Sequence, residues 1–241
     1  MTPFEISLLI AAALLASTIA AVTGTGGGVI LLPVMILFFG ARDAIPMYAV
    51  AQLIGNLSRV VLNRREIRLN VVGWFMLGAV PMGILGAIVF AKTPEAGLVR
   101  LLGGFLLLCV IVRHARANQL REFSPGWFAP IGGVFAFISA LLGSAGPFLA
   151  PFFVAFGLVK GAYIGTEALA TVTMHLSKLP TYYATGTLSQ LAIVTGLALG
   201  PVMILGSYIG KRIVDRIPAK AFAIMIDVIV VVFGVLFMVR G

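Results

Sequence analysis

The sequence predicts an all-α, polytopic integral membrane protein with eight to ten membrane segments, on the basis of composition and of long apolar runs. Of the 241 residues, 61% are apolar and 10% are charged, and the mean hydropathy is +1.12. Soluble proteins carry roughly 25% charged residues. Uncharged stretches cover residues 6–41, 69–91, 123–159 and 179–210, whereas a spanning helix needs about 20 residues. A soluble domain is therefore excluded.

Two of these stretches, 6–41 and 123–159, are too long for one spanning helix. A helix over 6–41 would measure about 54 Å at 1.5 Å per residue, against a hydrocarbon core of roughly 30 Å. The sequences 23–28 (TGTGGG) and 143–147 (GSAGP) lie near their middles, and Gly and Pro interrupt helices readily. We therefore predict two broken helices. The predicted helices, five in each half, cover residues 5–22, 26–39, 44–62, 70–91, 97–113, 127–142, 146–157, 162–184, 188–210 and 219–239.

The two halves of the sequence also resemble each other. Residues of the first half recur 118 to 120 positions later, and this nearly constant offset indicates an internal repeat. The matched residues are Pro33 with Pro151, Ala51 with Ala170, Asn56 with His175, Leu57 with Leu176, Ser58 with Ser177, Arg59 with Lys178, Pro81 with Pro201 and Gly86 with Gly206. We predict one transmembrane domain built from two repeats, residues 1–122 and 123–241.

Membrane topology, rather than a nucleic-acid partner, explains the net charge of +9. Basic residues gather in the short connections 63–69, 114–126 and 211–218, and such loops stay in the cytoplasm. If these loops are inside, the number of membrane crossings places the start of the first repeat outside and the start of the second repeat inside. The two repeats are therefore predicted to be inverted, in a multi-pass protein of a bacterial-type inner membrane with cytoplasmic basic loops.

The two helix breaks are the predicted binding site for a small anion. A helix that begins inside the bilayer presents unpaired backbone N–H groups and the positive end of its dipole, and glycine lets an anion approach closely. Close helix packing is the alternative explanation for such glycines. The predicted binding residues at the breaks are Thr23, Thr25, Gly26, Gly27, Gly28, Ser144, Ala145 and Gly146.

Polar side chains near the centres of the predicted spans 44–62 and 162–184 extend this site. Polar groups at such a depth need partners, and donors among them suit an anion. Hydrogen bonding between helices is the alternative role for each. These additional predicted binding residues are Gln52, Asn56, Thr171 and His175.

Charged residues within the predicted spans are candidates for electrostatic attraction or proton coupling. Arg59 and Lys178 lie one turn beyond the matched polar residues, where they either attract anions or snorkel to the interfaces. Asp227, near the middle of the last span, either relays a proton or serves as a counter-ion, because an unpaired desolvated carboxylate is costly. Glu167, nearer the inner end of its span, is ranked below Asp227.

The motifs at these breaks resemble those of a known family. The glycine-rich pattern 23–33, its degenerate repeat 143–151, and the helices that carry Asn56 and His175 resemble the sulfite exporter TauE/SafE family over essentially the whole chain. Residues 144–147 (SAGP) depart from the glycine-rich pattern of the family. The resemblance implies an inner-membrane permease for sulfite, sulfonates or related organosulfur anions, and not an enzyme.

We expect this permease to work by alternating access and to export its anion. With the inside negative, moving one negative charge outward gains about 2.3 kcal/mol per 100 mV, whereas import would require a coupled cation such as a proton.

Two alternatives remain open at this point. One is an intramembrane serine hydrolase with Ser144 as nucleophile and His175 as base, and the other is a passive anion channel. Neither a metal nor a cofactor is predicted, because no cluster of Cys, His and carboxylates has metal-ligand spacing and no nucleotide motif occurs.

Overall fold

The computed structural model describes residues 2–24, 27–115, 124–213, 231–232 and 234–239, and the secondary structure in these ranges is helical without strands. A 3-10 turn at Pro125–Trp127 precedes the fifth helix. The helices are α1 (Pro3–Thr23), α2 (Gly28–Leu62), α3 (Leu69–Lys92), α4 (Glu95–Ala115), α5 (Phe128–Leu142), α6 (Gly146–Ala155), α7 (Lys160–Ala184), α8 (Gln190–Ala198) and α9 (Gly200–Ile213).

Within the described ranges, five segments are long and apolar enough to cross a membrane. The prediction of an all-α polytopic membrane protein is confirmed. Helix α7 is not among the five; it is more polar, with several Thr, Ser and Tyr residues beside Glu167, His175 and Lys178. The five segments are Pro3–Thr23, Gly28–Leu62, Leu69–Lys92, Pro125–Leu142 and Gln190–Arg212.

The predicted helices 26–39 and 44–62 correspond to the two arms of α2, which meet at a non-helical kink. At the kink, Gly40 has φ 75° and ψ 164°, in the left-handed region that favours glycine. The side chain of Glu95 accepts a hydrogen bond from the backbone N–H of Ala41 (2.8 Å) and so satisfies a donor that the kink leaves unpaired. The predicted interruption between the two helices is thus present as a sharp bend at Gly40.

The predicted helix 188–210 corresponds to one long apolar segment, Gln190–Arg212. A turn at Leu199 separates its two parts, α8 and α9. Most of the predicted helix 219–239 lies outside the described residues, and the described part, 231–232 and 234–239, is helical.

Two helices are too short to cross a membrane alone. The part of α2 before Gly40, residues 28–39, measures about 18 Å, and the ten residues of α6 measure about 15 Å. A hydrocarbon core is roughly 30 Å thick. Each short helix follows a longer one, α1 or α5, after a break, so each pair forms a hairpin of unequal arms.

The first broken helix, α1, ends at a buried cation. Arg59 of α2 donates from Nη1 to the carbonyl oxygens of Ala20 (3.0 Å) and Gly24 (2.6 Å). The last four carbonyls of a helix have no partner within the helix, and a cation there also opposes the negative end of the dipole. Arg59 therefore caps α1.

The second broken helix, α5, ends in the same way. Lys178 of α7 donates from Nζ to the carbonyl oxygens of Ser139 (2.9 Å) and Gly143 (3.5 Å). Each of these three residues lies 119 positions after its counterpart in the first cap. Lys178 and Arg59 are buried, with 0% and 4% of their surface exposed, so the alternative in which they snorkel to the interfaces is wrong.

Helices of the two predicted repeats also contact each other closely through glycine. A Cβ atom on Gly86 of α3 would lie 2.7 Å from the carbonyl oxygen of Phe137 in α5, and one on Gly206 of α9 would lie 2.8 Å from that of Leu14 in α1. Small residues allow such backbone approach in membrane helices. The inversion of the two repeats stays a prediction.

The cap on α5 is testable through the stability of the protein. Lys178→Met keeps the side chain long but removes the donor from the carbonyl groups of Ser139 and Gly143, and buried unpaired groups cost about 1–3 kcal/mol. We expect a lower midpoint of thermal unfolding in detergent for this variant. Lys178→Arg should retain most of the stability, because Arg fills the equivalent position in the first cap.

The matched control for this experiment is Leu176→Met, which places the same new side chain on the exposed face of the same helix. Equal midpoints for Lys178→Met and Leu176→Met would show that the cap does not stabilise α5.

Candidate functional site

A cavity of about 40 Å³ lies where the two helix breaks meet, and we name it the central cavity. One water molecule occupies roughly 10–15 Å³ on this measure, so the space corresponds to about three waters or an equally small solute. The predicted binding residues that line it are Gly27, Gly28, Gln52, Asn56, Ser144, Ala145, Gly146, Thr171 and His175, and Arg59 joins them. That they bind a substrate stays a prediction.

Two other predicted site residues, Thr23 and Lys178, do not line the central cavity. The hydroxyl of Thr23 donates to the carbonyl oxygen of Ile19 within α1 (3.0 Å), and Thr23 is not among the lining residues. Lys178 lies one turn beyond His175, at the cap of α5. Three predicted residues lie outside the described part of the chain: Thr25, Gly26 and Asp227.

Two helix N-termini face the central cavity, and no side chain of the described residues caps them. Helix α2 follows the N-cap Gly27 and helix α6 follows the N-cap Ala145, and neither N-cap accepts a hydrogen bond through its side chain. The first N–H groups of a helix have no partner within it and carry the positive end of the dipole. The cavity is therefore suited to an anion on two of its walls.

Gly28 is a point of close approach between the two breaks. A Cβ atom there would overlap the hydroxyl of Ser144 and lie 2.6 Å from that of Tyr48. Any larger residue at position 28 would displace these hydroxyl groups or fill the cavity. Glycine is thus required here by space, and not by its backbone conformation.

Asn56 and His175, the residues matched by the 119-residue offset, meet across the cavity. Asn56 Nδ2 lies 3.4 Å from His175 Nε2 and also donates to the carbonyl oxygen of Gln52 (2.8 Å). The Nδ1 atom of His175 is buried without a hydrogen-bond partner among the described residues. If Nε2 accepts from Asn56, Nδ1 carries the proton and is a spare donor in the wall of the cavity.

Arg59 and Glu167 form an ion pair in the wall of the central cavity. Arg59 Nη1 lies 3.6 Å from Glu167 Oε2, and both side chains are about 95% buried. Arg59 Nη2 also donates to Asn56 Oδ1, and Thr171 donates to Glu167 Oε1 (2.9 Å). Sequence reasoning ranked Glu167 below Asp227 and so missed this pair.

Tyr48 is a second lining residue that sequence reasoning missed. One signal would have found both missed residues, because Tyr48 and Glu167 are themselves 119 positions apart. The offset of 119 residues that pairs Asn56 with His175 also pairs the positions up to two turns earlier on the same two helices. It gives a series of paired positions along α2 and α7, which face each other. The pairs are 48 with 167, 52 with 171, 56 with 175 and 59 with 178.

A second cavity, of about 360 Å³, shares Arg59 with the central cavity, and we name it the vestibule. Its lining carries more positive than negative charge, since Lys160 and Lys211 outnumber Glu66. Arg59 therefore stands between a large, basic cavity and the small central one.

The structure does not support the serine hydrolase alternative, because His175 is not hydrogen-bonded to Ser144 among the described residues. Ser144 and His175 both line the central cavity, but the imidazole faces Asn56 through Nε2 and has no partner at Nδ1. A serine nucleophile needs a base within hydrogen-bond reach. In the part of the chain that the structure describes, no group of three or more His, Cys, Asp and Glu is placed to hold a metal ion.

Comparison with known proteins agrees with the resemblance noted from the motifs. The family model described as "Sulfite exporter TauE/SafE" matches residues 9–237, which is nearly the whole chain. No curated protein and no solved structure matches it. With its apolar helices and this match, the chain is a multi-pass membrane protein, and it belongs to the sulfite exporter TauE/SafE family of transporters.

Proposed function

We propose that the protein is a permease that binds a small sulfur oxyanion, such as sulfite or a small sulfonate, in the central cavity and exports it by alternating access. The observation that carries this proposal is the meeting of two uncapped helix N-termini beside a buried arginine. Backbone N–H groups, helix dipoles and a guanidinium all favour an anion.

The size of the central cavity supports a small anion. Sulfite has four non-hydrogen atoms, which matches a space of about 40 Å³. The hydroxyl groups of Tyr48 and Ser144 and the amide of Asn56 supply neutral donors around it. A longer organosulfur anion requires the walls to move apart.

Two observations support alternating access. The caps on α1 and α5 recur at a constant offset of 119 residues, as expected when two related repeats exchange their positions around a shared site. In addition, Arg59 separates the central cavity from the vestibule. In the proposed cycle, movement of the repeats opens the central cavity first to the vestibule and then to the opposite side.

The proposed direction and location follow from charge. The vestibule includes Lys211, which belongs to the predicted cytoplasmic side together with the basic loops. An inner-membrane potential that is negative inside then drives a negatively charged substrate outward. Asp227 remains a candidate for a proton relay in the proposed cycle.

Anion flux tests the proposed site directly. We expect proteoliposomes with the purified protein to show saturable sulfite flux, and we expect Gly28→Ala to abolish or strongly reduce it, because the added Cβ enters the space held by Ser144 and Tyr48. The matched control is Gly73→Ala in α3, where a Cβ atom would meet nothing within 4 Å.

Equal flux in the two alanine variants would remove the central cavity from the transport pathway. No sulfite or sulfonate flux from the wild-type protein would contradict the proposed function itself.

The direction of transport is testable with an imposed membrane potential. For one net negative charge, 100 mV inside negative contributes about 2.3 kcal/mol, which shifts the equilibrium distribution of the anion outward roughly 50-fold. We expect sulfite efflux from proteoliposomes to increase as the potential is made more negative inside at constant pH. Efflux that does not respond to the potential would contradict net movement of negative charge.

A further inference from the structure

Glu167 is a carboxylate in a cavity that is otherwise arranged for an anion. It is 3% exposed. Its Oε1 atom accepts a hydrogen bond from Thr171, whereas Oε2 has no hydrogen-bond partner among the described residues and lies 3.6 Å from Arg59 Nη1. Structural carboxylates in a protein interior usually have all their oxygens paired.

The positions of Arg59 and Glu167 put the carboxylate in competition with any bound anion. Arg59 Nη1 and Nη2 already donate to the end of α1 and to Asn56, so the guanidinium is held in place and cannot follow a ligand. Its positive charge faces Glu167 when the cavity is empty. An anion in the cavity would stand beside the same carboxylate, and two negative charges at low dielectric repel each other strongly.

We infer that Glu167 is a built-in competitor for the substrate, which neutralises Arg59 in the empty cavity and takes up one proton when the anion binds. The inference rests on the proposed permease function and adds that each anion crosses together with one proton. The proton comes from water of the vestibule, which Arg59 borders. For a divalent anion such as sulfite, one net negative charge still moves, so the membrane potential still drives export.

Few other charged or titratable groups surround Glu167 among the described residues. Helix α2 contributes Arg59 and Tyr48 to the central cavity, and α7 itself contributes His175 and, one turn further, Lys178. Helices α1, α5 and α6 contribute uncharged residues to the cavity wall. Beyond Arg59, the vestibule adds Glu66, Lys160, Tyr163 and Lys211. His175 is therefore the rival for a proton taken up on binding.

The test is the dissociation constant of sulfite for the full-length protein in detergent, measured by calorimetry at several pH values on both sides of neutrality. Glu167→Gln mimics the protonated carboxylate. We expect the ratio of the wild-type dissociation constant to that of Glu167→Gln to rise with pH by up to about tenfold per pH unit, as one linked proton requires. Because sulfite titrates in the same way with both proteins, its own titration cancels in the ratio of the two dissociation constants.

Two variants serve as controls for this ratio. Glu5→Gln removes a half-buried carboxylate at the start of α1, where Gln also supports the capping box, and it should match the wild-type protein at every pH. His175→Gln should keep the pH dependence. A ratio that does not change with pH, or a pH dependence lost in His175→Gln but kept in Glu167→Gln, would overturn the role of Glu167.

The wild-type protein gives a second readout that does not depend on the folding of Glu167→Gln. Methanesulfonate has no titratable proton near neutrality, so its dissociation constant rises with pH only if a protein group takes up a proton on binding. A constant value would overturn the inference while leaving an anion permease in place. Absence of binding by any of these anions would instead contradict the proposed function.

Discussion

The structure depends on ending two helices in the interior of a membrane protein. Backbone groups there must find partners within the protein, because lipid offers none. The carbonyl ends of α1 and α5 are satisfied by cations of the chain itself, Arg59 and Lys178. The N–H ends of α2 and α6 have no side-chain cap. The protein thus caps the carbonyl ends of α1 and α5 with its own cations. It leaves the N–H ends of α2 and α6 open to an anion.

Arg59 links the scaffold to the site, because the same guanidinium caps α1 and faces the central cavity. Its counterpart Lys178 caps α5 but does not line the cavity. A similar difference holds about three turns away, where one helix carries the neutral Tyr48 and the other carries Glu167. The two halves therefore share one capping arrangement, but among the described residues they give the cavity one fixed cation and one carboxylate. Related repeats thus form an electrically asymmetric site.

Much of this arrangement is readable from local sequence. The breaks at 23–28 and 143–147 follow from Gly and Pro, and the meeting of Asn56 with His175 follows from the repeat offset. Two features depend on tertiary contacts that local patterns do not encode. Glu95 accepts from the backbone N–H of Ala41, 54 residues away, beside the bend at Gly40, and Glu167 finds its partner on another helix. The prediction for Thr23 fails for a local reason, because its hydroxyl donates to Ile19 one turn back in the same helix.

The central claim is that the anion lies between the N-termini of α2 and α6. A crystal structure with bound selenite, a heavier analogue of sulfite, tests it most directly, because anomalous scattering locates selenium without reference to the protein. We expect one anomalous peak in the central cavity, beside the N-termini of α2 and α6 and within reach of Arg59. Selenium found in the vestibule but absent from the central cavity would contradict the account.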